Sequence, residues 1–156
     1  MDAGTTTARL AMMLPRDRQL TVLTNAVPIA ARLAGSPSVQ LHLLPGRVRP
    51  TTHAAVGEET VEALSRLRAD VAFVGTNGLS LSHGLSTPDP AEAATKRAIV
   101  SSAQRVVVLV DSSKLGQEHM IRFAELADVD EVVTDSGIAP SDLQELQARG
   151  IEVLVA

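Results

Sequence analysis

Asp2-Ala3-Gly4-Thr5-Thr6-Thr7 leads into a segment of helical periodicity. A glycine followed by hydroxyl residues at a helix head offers free backbone N–H groups, side-chain donors and the positive end of the helix dipole, a setting that favours an anion and most naturally a phosphate. The plainer reading is that Thr5 or Thr6 caps the helix. Of the 14 basic residues, 12 are arginine and only two, Lys96 and Lys114, are lysine. Lys96 falls on a helix that starts after Asp89, and Lys114 falls just past a strand's carboxyl end, so both can face one crevice and add point charges to a phosphate. The alternatives are a helix-surface pair of Lys96 with Glu92, contributing about 0.2–0.5 kcal/mol, and a solvated loop cation at Lys114. In each case replacing the lysine by alanine is expected to cost little stability.

Thr24-Asn25, Gly75-Thr76-Asn77-Gly78 and Asp111-Ser112-Ser113-Lys114 each follow a strand-like run. Their short polar side chains suit either sugar hydroxyls or the backbone of turns. The four histidines, His42, His53, His83 and His119, form no ligand spacing, and there is no cysteine, so neither a metal site nor a thiol nucleophile is expected. No G-x-G-x-x-G, P-loop or G-x-S-x-G motif occurs, so dinucleotide binding, P-loop chemistry and ordinary serine hydrolysis recede, and no cofactor is expected. Eighteen acidic residues outnumber the basic ones, giving a net charge of -4, and only two residues are aromatic. That balance disfavours nucleic-acid binding by these residues themselves.

The elements that must position these groups alternate between strand and helix. At 156 residues with 45% hydrophobic content, the sequence reads as one soluble domain over 1–156 without internal repeats. Helices are predicted over 5–14, 27–33, 58–67, 90–103 and 141–149, and strands over 20–24, 39–44, 70–75, 105–111, 131–135 and 151–155. The stretch 46–56 is looser, and 76–89 reads as a long polar loop. Asp89, Pro90 and Glu92 mark a helix start, and Ser141 with Gln144 mark another. Near-continuous apolar strands such as Val106–Val110 are typical of parallel sheets covered on both faces, which gives an α/β fold: an open, mainly parallel sheet with helices on both sides. Ligands in such folds bind beyond the strands' carboxyl ends, where the polar clusters lie. Apolar runs reach only about five residues against the roughly 18–20 that span a bilayer, and no signal peptide is visible, so a cytoplasmic location is expected.

In order, Asp2-Ala3-Gly4-Thr5-Thr6, Thr24-Asn25, Asp70 to Gly78, Gly84-Leu85-Ser86-Thr87-Pro88-Asp89, Glu92 to Arg97, Asp111-Ser112-Ser113-Lys114 and Val133-Thr134-Asp135 resemble the effector-binding domain of DeoR-family bacterial transcriptional regulators across nearly the whole chain. The resemblance implies a fold similar to ribose-5-phosphate isomerase, glucosamine-6-phosphate deaminase and the coenzyme A transferases. It also implies sensing of a phosphorylated sugar or related metabolite. Gly4, Thr5 and Thr6 would then hold the phosphate with Lys96 and Lys114, while Asp2, Thr24, Asn25, Asn77, Glu92 and Asp111 would meet the sugar or orient the lysines. A homodimer or homotetramer is expected, with DNA bound only through a helix-turn-helix module that these residues do not contain. The sequence departs from the family where a strand usually precedes the Asp-x-Gly-Thr-Thr loop, and where Pro45-Gly46 stands for the usual Gly-Gly.

The competing function is a sugar-phosphate isomerase or deaminase of the same fold. Such an enzyme needs a carboxylate or histidine poised over the reacting carbons, and Thr76 and Asn77 stand where the similar isomerases carry acids. Sensing requires no proton transfer and is the preferred expectation. A domain that binds only another macromolecule would leave both lysines solvated.

Overall fold

Residues 1–156 are described by a computed structural model in which helices and strands alternate. Helix α1 (Thr5–Met12) is followed by strand β1 (Leu20–Thr24), helix α2 (Val27–Leu33) and strand β2 (Val39–Leu43). A hairpin of β3 (Arg47–Val48) and β4 (Ala55–Val56) leads to α3 (Glu58–Ser65) and β5 (Ala69–Gly75). Next come β6 (Gly78–Ser80), β7 (Gly84–Thr87), α4 (Pro90–Ser101) and β8 (Ala103–Leu109). The chain ends with β9 (Ile121–Ala124), β10 (Glu131–Thr134), α5 (Pro140–Ala148) and β11 (Glu152–Val155). No helix is long and apolar enough to cross a membrane.

Strands β5, β8, β10 and β11 form a four-stranded parallel sheet in the order β11-β10-β8-β5, flanked by helices. Its interior strands bury Val106, Val107, Val108, Leu109 and Val132, which is why their sequences run apolar instead of alternating. Strands β1 and β2 make a separate parallel pair. Only Met1 and Asp2 join this pair to the larger sheet by backbone bonds, the Met1 nitrogen donating to the Leu23 carbonyl at 2.7 Å and the Asp2 N–H to the Phe73 carbonyl at 3.1 Å. Beside that junction an apolar slot of about 350 Å³ runs between residues 20–23 and 69–73, floored by Leu64 and Ile99. Thirteen of its 17 lining residues are hydrophobic, and Thr21, Arg68, Asp70 and Ser102 are the polar ones. The hydrophobic core is divided accordingly, with 19 buried residues around the four-stranded sheet and α4, and five (Ala11, Val22, Ala26, Ile29 and Leu33) around β1, α1 and α2.

Three expectations change. The polar loop over 76–89 contains β6 and β7, which pair antiparallel with each other and, through β7, with β9. Thr76 and Ser86 are buried there because their hydroxyls serve the backbone: Thr76 Oγ1 donates to the Gly78 carbonyl at 2.7 Å, and Ser86 Oγ accepts from the His119 N–H at 2.9 Å. Helix α1 ends at Met12 rather than Leu14, since Pro15 disfavours helical backbone at the residue before it. Helix α5 starts at Pro140 with Ala139 at its cap, so Ser141 and Gln144 lie inside the helix and supply no cap. Asp89 does cap α4, its Oδ1 accepting the Glu92 N–H at 2.9 Å.

Candidate functional site

Beyond the carboxyl ends of β1 and β5, the segment at Asp2 and the start of α4 converge on a small polar cavity. Asp2, Ala3, Asn25, Ala54, Val56, Glu92, Thr95 and Lys96 line it. Its volume is about 10 Å³, at the lower limit of what admits one water molecule.

Asp2 is 1% exposed and Lys96 8%. One carboxylate oxygen, Asp2 Oδ2, takes both the Lys96 ammonium and the Gly75 N–H, the latter at 3.0 Å. The ammonium also donates to the Gly75 carbonyl at 2.8 Å and lies 5.6 Å from the centre of the Phe123 ring. Burial of a charge is tolerated only where such partners replace water, so Lys96 is a fixed part of the interior. The alternative of a surface cation paired with Glu92 does not hold, and the expectation that replacing Lys96 would cost little stability is corrected, because the buried ammonium is the counter-ion of Asp2. The second oxygen, Asp2 Oδ1, is buried without a hydrogen-bond partner, as is Asn25 Oδ1. Asn25 is itself oriented by its Nδ2, which donates to the Ala55 carbonyl at 2.9 Å.

Glu92 is held from the other side by Arg49, whose guanidinium reaches Glu92 Oε1 and, at 2.9 Å, Asp89 Oδ2. Arg49 belongs to the stretch that reads as loose in the sequence, and no spacing rule links it to a residue 43 positions away. Thr95 likewise carries no signal in the sequence; its Oγ1 donates to the Ala91 carbonyl, the usual duty of a threonine inside a helix.

Gly4 occupies the cap position of α1 in extended conformation, and no side chain caps the helix. Its first-turn N–H groups are therefore left to solvent or ligand. Thr7 Oγ1 donates to the Gly4 carbonyl at 3.0 Å, while Thr5 is exposed and Thr6 half-buried, next to the cavity through Ala3. Thr24 is buried in turn duty, its Oγ1 accepting the Ala26 N–H at 3.1 Å. Asn77 is exposed. Lys114 pairs with Asp111 at 3.0 Å on the single-turn helix after β8, and the Asp111 carboxyl is held below its ordinary range first by the Ser113 hydroxyl and then by Lys114. Thus Asp2, Asn25, Glu92 and Lys96 share one cavity, with Gly4, Thr5 and Thr6 beside it, whereas Thr24, Asn77, Asp111 and Lys114 do not line it.

The family described as DeoR C terminal sensor domain matches residues 1–136. Among curated proteins the chain is 34% identical, over 153 residues, to the HTH-type transcriptional regulator GlpR of Haloferax volcanii, covering 98% of this chain and 60% of that protein. It is 30% identical to the glycerol-3-phosphate regulon repressor of Escherichia coli, over 98% of this chain and 61% of the relative. It is also 30% identical to the HTH-type transcriptional repressor GlcR of Bacillus subtilis, over 99% of this chain and 59% of the relative. The chain thus spans about three fifths of the length of the relatives it matches.

Proposed function

Since the chain belongs to the family of DeoR C-terminal sensor domains, we propose that its cavity senses a small phosphorylated sugar or polyol. The observation that carries this reading is the pair of buried acceptors without partners, Asp2 Oδ1 and Asn25 Oδ1, beside the uncapped head of α1. An orphaned buried oxygen costs about 1–3 kcal/mol, which a donor from a ligand recovers. Two such oxygens call for hydroxyl donors.

The charge balance supports one position for the anionic group. Among the charged residues that line the cavity Asp2 and Glu92 outnumber Lys96, which disfavours a phosphate inside it. The phosphate fits instead at the N–H groups of Gly4, Thr5 and Thr6, where the dipole and free donors favour it. Lys96 then orients Asp2, and Lys114, paired with Asp111 at the same end of the sheet, would have to leave that pair to meet the phosphate. The chain's part is sensing without catalysis, and the binding free energy would bias a DNA-binding module and subunit association in a longer regulator.

Thermal unfolding with millimolar glycerol 3-phosphate, glucose 6-phosphate, fructose 1-phosphate and ribose 5-phosphate tests the reading. A ligand at 100 times its Kd adds about 2.7 kcal/mol to stability, and its unphosphorylated counterpart should add far less. A melting temperature unmoved by the whole panel would remove the proposal.

A further inference from the structure

A cavity of about 10 Å³ admits no metabolite, so one of its walls must move for any ligand to enter. The floor is fixed, because Asp2 is tied to Phe73, Gly75 and Lys96. The wall formed by Glu92, Thr95 and Lys96 is a three-turn helix packed in the main core. Of the remaining lining, Ala3 adjoins Asp2 and Asn25 is bonded to Ala55, and the hairpin over 47–56 supplies Ala54 and Val56 from two strands of two residues each.

Gly46 and Gly57 flank the hairpin with φ of 134° and 115°, values that L side chains rarely adopt, so it is bounded by residues able to take up a change of backbone direction. Ala54, Ala55 and Val56 are buried against the body, and three hydrogen bonds besides those of Arg49 attach the hairpin to it. The Ala55 N–H donates to the Asn25 carbonyl at 2.7 Å, the Val27 N–H to the His53 carbonyl at 3.0 Å, and Asn25 Nδ2 to the Ala55 carbonyl. The strongest tie is Arg49, which spans from the hairpin to Asp89 and Glu92 at the head of α4 with its side chain 19% exposed.

We propose that the hairpin over 47–56 is a flap over the ligand cavity and that Arg49, forked between Asp89 and Glu92, is the latch that holds it shut. The latch must be released before a ligand enters. A planar guanidinium spread over two carboxylates fixes one position of the flap, and breaking either pair frees the hairpin without disturbing the Asp2–Lys96 pair beneath. The cavity is thereby kept narrow, and closure over a bound ligand re-forms the same pairs. This rests on the cavity being the ligand site, but the state of the latch is measurable with no ligand present.

Amide hydrogen exchange of the unliganded chain is the test. Arg49→Met keeps the length of the side chain and removes the charge; the amides of Val27, His53 and Ala55 should then exchange about five- to tenfold faster, with β8 and β10 unchanged. Glu92→Gln, which keeps its shape, should speed the same amides and carries the test if Arg49→Met loosens the whole chain. Wild-type exchange at these amides in the folded variants overturns the latch. For any sugar phosphate that raises the wild-type melting temperature, Arg49→Met should speed association several-fold, and equal rates would overturn the gating role. Failure of the whole panel with wild type would count against the ligand class alone, since the exchange result does not depend on it.

Discussion

At the residue scale, the ion pair of Asp2 and Lys96 sets what can be changed. Both side chains are buried, and the lysine's other contacts are a carbonyl and an aromatic face, so removing the ammonium leaves Asp2 charged without its counter-ion. Lys96→Met should therefore cost about 3–5 kcal/mol in denaturant unfolding, and a loss below about 1 kcal/mol would mean that the pair is solvated. The same substitution in an Asp2→Asn background should cost less, because no stranded charge remains. A second carboxylate gives a pH signature. Asp135 is held down to about 2 by the Ser112 hydroxyl, the Ser112 N–H and the Gly137 N–H. Its folded value lies below its unfolded one, so its contribution is complete above about pH 4 and is lost as pH falls through about 2. Asp135→Asn should flatten the stability curve of the chain across that window; a curve parallel to wild type would contradict the assignment. Residue type and position marked Asn25 and Lys96, each with a plainer alternative in turn duty or a surface pair, whereas Asp2 and Glu92 entered through the resemblance to the family. Their pairing was hidden, since Asp2 and Lys96 lie 94 residues apart and nothing local records which carboxylate a buried lysine meets.

At the scale of elements, the parallel strands were legible because burial on both faces leaves a continuous apolar run, and α4 because Asp89 and Pro90 begin it by known stereochemistry. Strands β6 and β7 were not. Gly78-Leu79-Ser80 and Gly84-Leu85-Ser86-Thr87 carry the composition of a loop, yet every one of these residues is buried, with hydroxyls bonded to neighbouring backbone, to Glu118 or to Glu92. Their glycines are there for space. A Cβ on Gly84 would meet the Ala124 carbonyl oxygen at 2.4 Å, at a φ of 77°. Gly84→Ala thus combines a collision with β9 and backbone strain of about 1–3 kcal/mol, and it should lower stability by at least that much in urea titration. Gly35 is the control: a Cβ added there would have no atom within 4 Å, so Gly35→Ala should be neutral or stabilising by up to about 1 kcal/mol. Equal losses at the two positions would show that the close approach of β7 and β9 is not what Gly84 serves.

For the whole molecule, the decisive feature is the divided core. The five-residue cluster around β1, α1 and α2 buries far less apolar surface than the 19-residue cluster, and the slot between residues 20–23 and 69–73 keeps the two sheets from merging. What crosses the division at the site is polar: the backbone bonds of Met1 and Asp2, the Asp2–Lys96 pair and the Arg49 latch. Polar ties exchange readily with water, whereas buried apolar surface does not, so the smaller unit should open before the larger one. Native-state hydrogen exchange should accordingly give the amides of β1 and α2 a lower opening free energy than those of β8 and β10. A single common value for both sets would show that the two clusters unfold as one. The consequence reaches function, because a ligand bound to Asp2, Asn25 and the head of α1 on one side and to the Glu92 wall on the other would tie the two units together. Protection in β1 and α2 should then rise more than in β10, which converts occupancy of a small cavity into a change in the coupling of two bodies, the quantity that a neighbouring module or subunit can read.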